Sequence, residues 1–318
     1  MPLRTVLLGA GFTRNWGGWL ASELTGELCG IVADDEDLVR RLKETRNFER
    51  VLADVRVEAR AGVAAHRRFE RLQQATLDVF NRMNQALAKG GFEFRVAGGK
   101  QRWVATFLAE FDAIFTLNQD LLLELHYVPG KAMTRWQGSA YPGIDLPADW
   151  LDSLPAGRLE RNLRAGGPSQ VADGIQPIYK LHGSVNWISD DGSHVVVVGD
   201  GKDRTIRENT LLMGYLEELE RCLSAGDTRL MVIGYSFADR HINDVIEAAS
   251  RTKGLRTYLV DPAGLSMFDP PPNALITRPS DVFFALRPAG ILTRPLRQAF
   301  ESDDLAFESL WRFLDISS

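Results

Sequence analysis

Apolar positions along this chain fall into two periodicities. Short runs without polar interruption, Thr5 to Leu8, Ala113 to Leu117, Ile178 to Leu181, Val195 to Val198, Leu230 to Ile233 and Thr257 to Val260, have the character of strands buried on both faces. Between them the spacing is helical. Phe69, Leu72, Thr76, Val79, Phe80, Met83 and Leu87 form one such stripe, with Arg, Glu and Gln opposite. Leu211, Leu212, Tyr215, Leu216, Leu219 and Leu223 form another, and Ile242, Val245, Ile246 and Ala249 a third. Strands alternating with helices predict an α/β fold, a Rossmann-like doubly wound and mostly parallel sheet within a single domain over 1–318.

Three stretches interrupt that alternation. Residues 20–110 read as helix and are too long for a simple crossover, so they predict a helical subdomain inserted after the first strand. Residues 129–177 turn Gly- and Pro-rich and predict a long insertion with little regular structure: a lid, a partner-binding segment or a plain surface excursion. Residues 290–318 carry Phe300, Leu305, Phe307, Leu310, Trp311 and Leu314, a C-terminal helical tail docked on the body or on another subunit.

Composition narrows the function classes. A net charge of −5 with pI near 5.7 gives no basic face for direct nucleic-acid binding. No apolar run approaches the roughly 20 residues of a membrane span, and Met1-Pro2-Leu3-Arg4 leads into a strand rather than a signal peptide, so a cytoplasmic protein is expected. Two cysteines, Cys29 and Cys222, are too few for a zinc ribbon and are expected to be free thiols, with no metal site and no zinc module.

Candidate chemistry gathers where strands end. Gly9-Ala10-Gly11-Phe12-Thr13 follows the first strand, where glycines let backbone amides approach a pyrophosphate. Arg14 stands where a full dinucleotide fingerprint has its third glycine, which argues against a hydride-transferring dehydrogenase. Thr116-Leu117-Asn118-Gln119-Asp120 delivers Asn118 and Asp120 to the same edge; they either serve a ligand or cap the next helix. Lys180-Leu181-His182-Gly183-Ser184 delivers a histidine suited to proton abstraction near pH 7. His66, His126, His194 and His241 are assigned no chemistry. Gly234-Tyr235-Ser236 and Asp261 end two later strands.

This ordered set resembles the sirtuin family. The resemblance implies a Rossmann-like NAD⁺ domain in which Gly9, Ala10, Gly11 and Thr13 hold the phosphates and Gly234, Ser236 and Asp261 face the adenosine half. Asn118 and Asp120 would shape the nicotinamide side, with His182 as catalytic base. The chain departs from protein-deacylating sirtuins in having Trp16-Gly17-Gly18-Trp19 after the glycine loop and no four-cysteine module. It is similar instead to the sirtuin-like effectors of bacterial anti-phage defence, which implies NAD⁺ hydrolysis as an NADase, with NAD⁺ as substrate. It also implies activation by assembly, as a homo-oligomer or with a sensor such as a hexameric ATPase or a short argonaute-type protein. Protein deacylation or ADP-ribosyl transfer, and a non-catalytic NAD- or ADP-ribose-binding module, are the alternatives.

Overall fold

The computed structural model describes residues 2–99, 101–129, 135–145, 162–167, 170–197, 199, 202–268 and 278–315. Strand β1 (Arg4–Leu8) is buried from Thr5 onward and runs into the short helix α1 (Ala10–Thr13). The helical subdomain then comprises α2 (Ala21–Ile31), α3 (Glu36–Thr45), α4 (Phe48–Glu58) and α5 (Val63–Ala88). Asp35 and Asn47 start α3 and α4 by accepting the Leu38 and Arg50 amides, donors that a helix N-terminus leaves unpaired. Along α5, Leu72, Thr76, Val79, Phe80, Met83 and Leu87 are buried as their spacing predicts. All but Thr76 join the same hydrophobic core as the sheet.

The chain returns through α6 (Val104–Ala109), β2 (Ala113–Thr116) and α7 (Leu122–His126). Next come β3 (Gly138–Ala140), β4 (Leu163–Arg164), β5 (Ile175–Lys180), β6 (Gly183–Ile188) and β7 (His194–Val196). Helices α8 (Lys202–Glu208) and α9 (Thr210–Leu223) lead into β8 (Arg229–Ile233), α10 (Arg240–Thr252) and β9 (Arg256–Val260). Helix α11 (Arg278–Leu286), β10 (Gly290–Leu292), α12 (Leu296–Glu301) and α13 (Asp304–Leu314) close the chain.

Seven strands form one sheet in the order β10-β9-β8-β1-β2-β5-β3, and every neighbouring pair is parallel. The chain proceeds from β1 outward through β2 and β5, then restarts on the other side of β1 at β8. The strand order therefore reverses between β1 and β8, and ligands of such sheets bind in the crevice outside the strand ends there. The fold is the expected Rossmann-like α/β architecture.

The 129–177 segment carries short strands among its described residues: β3 adds an edge strand to the main sheet and β4 joins a second, three-stranded sheet β4-β6-β7. Its residues 130–134, 146–161 and 168–169 lie outside the described residues. One expectation is corrected: the run that starts at Val195 is not a core parallel strand, because it begins within β7, the antiparallel partner of β6. The tail's Phe300, Leu310 and Leu314 are buried in this chain's own core, the first of the two dockings expected for it. Cys29 and Cys222 are free thiols.

Candidate active site

A cavity of about 900 Å³ opens at the β1/β8 switch point. Gly9, Asn118, His182, Gly234 and Asp261 all line it, each just beyond the C-terminal end of β1, β2, β5, β8 or β9. Ala10, Gly11, Asp120 and Ser236 line it as well. Phe48, Phe80 and Met83 from the helical subdomain, with Trp19 just before it, form the apolar wall, which gives that subdomain a role its periodicity did not reveal.

The glycines work by close packing. A Cβ on Gly9 or Gly11 would sit 2.4 Å and 2.6 Å from Gly234 backbone atoms, and Gly234 has φ +64 with a Cβ position 2.4 Å from Gly11. The two loops thus interlock where only glycine fits. The Gly9 and Gly11 amides donate to the Ile233 and Gly234 carbonyls, each at 2.9 Å, rather than pointing at a phosphate. These residues bring backbone to the cavity wall without offering those two amides to a ligand.

Thr13 is also placed differently from the expectation that it holds phosphate. Its hydroxyl is buried, donates to Asp120 Oδ2 at 2.8 Å and accepts from Asn118 Nδ2 at 2.9 Å. Asn118 Nδ2 gives its second hydrogen bond to the Gly9 carbonyl, also at 2.9 Å. Both amide hydrogens of Asn118 are therefore used inside the fold, and Oδ1 is the acceptor it has for a ligand. Asp120 receives Thr13 on one oxygen and the Leu122 amide on the other at 3.0 Å. Asp120 is thus a positioning group for Thr13 and Asn118, and it makes the helix-capping contact that was the alternative reading. Asn118 makes no such cap.

Lys180 fastens the two polar loops together. Its buried Nζ donates to the Asp120 carbonyl at 2.6 Å, Glu124 at 2.7 Å and Ser184 at 2.8 Å. Gly183, at φ +69, lets the chain turn from β5 into β6 where a Cβ would stand 2.0 Å from the Val195 carbonyl oxygen. His182 sits at that turn, 2% exposed. Burial pushes its imidazole down to about 3; Lys202 and His241 act the same way, while Asp239 and a bond to the Leu117 backbone oppose them. At pH 7 its imidazole is neutral.

Beside it lies a polar group that strand-end reasoning missed. His241, on the first turn of α10, has its Nε2 at 3.3 Å from His182 Nε2. Lys202 Nζ bridges Asp239 at 2.9 Å and Glu49 at 2.8 Å. Burial disfavours the Lys202 charge, but the two carboxylates hold its pKa above the ordinary lysine value. Arg14, Arg294 and Arg297 line the cavity too, the last held by a 2.8 Å bond to the Asn15 carbonyl. They supply positive charge to the cavity wall, and burial shifts the Asp261 carboxyl upward. Neither set has a sequence signature, because its members come from separate elements.

A family model described as a SIR2-like domain matches residues 112–275, just over half of the 318 residues. The chain belongs to the SIR2-like domain family. The matched stretch carries Asn118, His182, Gly234 and Asp261, while the β1 glycine loop precedes it. No curated protein matches the chain. The SIR2-like family uses NAD⁺. Among the described residues, no cluster of three or more His, Cys, Asp or Glu side chains could hold a metal ion, and no helix is long and apolar enough to cross a membrane.

Proposed function

We propose that this SIR2-like domain is an NAD⁺ glycohydrolase that cleaves the nicotinamide–ribose bond. The observation that carries this reading is the convergence of Asn118 and His182 on one switch-point cavity. Its volume of about 900 Å³ lies within the range of ligand pockets, roughly 300–1,000 Å³. The adenosine half lies along Gly234, Ser236 and Asp261, and the arginines neutralise the pyrophosphate.

Water adds to the ribose carbon as the C–N bond breaks, nicotinamide leaves as a neutral amide, and one proton is released. The transition state is oxocarbenium-like and gains from fixed dipoles that need no reorganisation. Asn118, locked by Thr13 and Gly9, aims its Oδ1 at the attacking water or the nicotinamide amide. His182 accepts a proton from a ribose hydroxyl or from that water. On the resemblance of its ordered motifs to anti-phage effectors, we also propose that turnover is low until the chain assembles with itself or with a sensor partner.

The test is nicotinamide release from NAD⁺ by wild type, Asn118→Ala and His182→Ala, alone and with the product of the adjacent gene. Each variant is expected to lose about 10²- to 10⁴-fold in turnover while still binding ADP-ribose. Binding without release in every setting would leave a nucleotide-binding module, and release that requires an acylated peptide would make it a deacylase.

A further inference from the structure

His182 Nε2 faces His241 Nε2 at 3.3 Å, and the Leu117 backbone beside the ring favours its protonated form. The Leu117 amide already donates to the Leu8 carbonyl at 2.9 Å, so it is the Leu117 carbonyl that His182 meets. A carbonyl only accepts, and a neutral imidazole has one donor and one acceptor nitrogen. The hydrogen of His182 therefore lies on the nitrogen facing Leu117, and its lone pair lies on Nε2. Across the histidine pair, His241 is the donor.

We propose that His241 is a latch on His182: its Nε2–H competes with a substrate hydroxyl for the lone pair that His182 must offer as a base. The proposal rests on the reading of His182 as that base. A bond to His241 and a bond to a ribose hydroxyl exclude one another at Nε2, so His241 has to yield before His182 can act. The Leu117 contact is the worse one to break, because it would orphan the carbonyl of a buried residue. His241 is only partly buried, on the first turn of α10, and can exchange His182 for water. The 3.3 Å separation is also longer than an ordinary N–H hydrogen bond.

The latch is anchored on charge. Burial holds His241 below the ordinary histidine value and Lys202 acts the same way, while Asp239, Asp203 and Asp244 favour its charged form. Lys202 ties Asp239, the residue before α10, to Glu49 on α4. The Tyr235 hydroxyl takes the Asp239 amide at 3.1 Å, so the turn carrying His241 is continuous with the Gly234 loop of the cavity. His241 is a positioning residue, acting through His182.

His241→Leu removes the donor at similar volume, and His241→Gln keeps an N–H near the same place. The full chain, with its partner if turnover requires one, is assayed for ADP-ribose affinity by calorimetry and for nicotinamide release. His241→Leu is expected to tighten ADP-ribose and lower KM for NAD⁺ by about three- to tenfold, the worth of one hydrogen bond, with kcat held. His241→Gln should resemble wild type. In the imidazole ¹⁵N spectrum of wild type, ADP-ribose should displace the His241 N–H from His182. A fall in kcat with affinity unchanged in His241→Leu overturns the latch, as does a His182–His241 bond that persists with ADP-ribose bound. If wild type releases no nicotinamide in any setting, the hydrolase reading fails, while affinity and spectrum still decide the latch.

Discussion

Acid acts on this molecule first through His182. In the fold its imidazole is held down to about 3, against an ordinary 6.5, chiefly by burial. Between those values the unfolded chain binds a proton that the folded chain refuses, so stability is intact above pH 6.5 and falls as pH drops toward 3. The slope from this one residue approaches about 1.4 kcal/mol per pH unit. His241, also shifted down by burial, adds in the same direction. Urea midpoints of wild type should drop steeply across that window, and those of His182→Gln less steeply; parallel curves would mean that His182 is solvated in solution. At this scale the placement of Asn118 and His182 at the cavity was legible because each follows the end of an apolar strand run. Thr13 and Asp120 were legible as important but not in their role. Their partners are each other and Asn118, contacts that span more than a hundred residues of sequence. His241 was not legible at all, because its meaning lies in one neighbour 59 positions away.

The C-terminal helices show how an element can be read correctly and its destination left open. Phe300 packs edge-on against Phe94, Phe107 and Phe307. Arg102 lies 4.3 Å from the Phe307 ring and donates to the Ala299 and Phe300 carbonyls, closing the end of α12. Phe300→Ala is expected to lose about 3–5 kcal/mol in chemical denaturation through the cavity it leaves. A loss below about 1 kcal/mol would mean the tail is detached in solution, free for another subunit. Strands were legible where both faces are covered, as in β1, β2, β8 and β9, since such burial leaves a continuous apolar run. β3 and β10 were not: each has three residues, sits at a sheet edge and is only partly buried. β6 was missed because no apolar run marks it, its sequence mixing Ser184 and Asn186 with Val185 and Trp187, and because Gly183 turns the chain directly from β5 into a second sheet.

At the scale of the whole molecule, one ligand would bridge parts that are far apart in sequence: β1, the helical subdomain, the SIR2-like match over 112–275 and the start of the C-terminal tail. A ligand that binds only when all four are assembled stabilises the entire fold. At a concentration a hundredfold above Kd the gain is about 2.7 kcal/mol, which for a chain of this size raises Tm by roughly 5 °C. ADP-ribose is the probe that separates this from turnover, since it lacks the scissile bond. Its shift should survive EDTA, because no proposed contact runs through a metal. It should survive Asn118→Ala in large part, and it should vanish in Gly234→Ala, whose Cβ would part the two loops that form the crevice. Gly234→Ala should itself melt lower than wild type, its methyl forced into a left-handed backbone. A shift that persists in Gly234→Ala would put the nucleotide somewhere other than the β1/β8 switch point, and the argument from converging strand ends would fail with it.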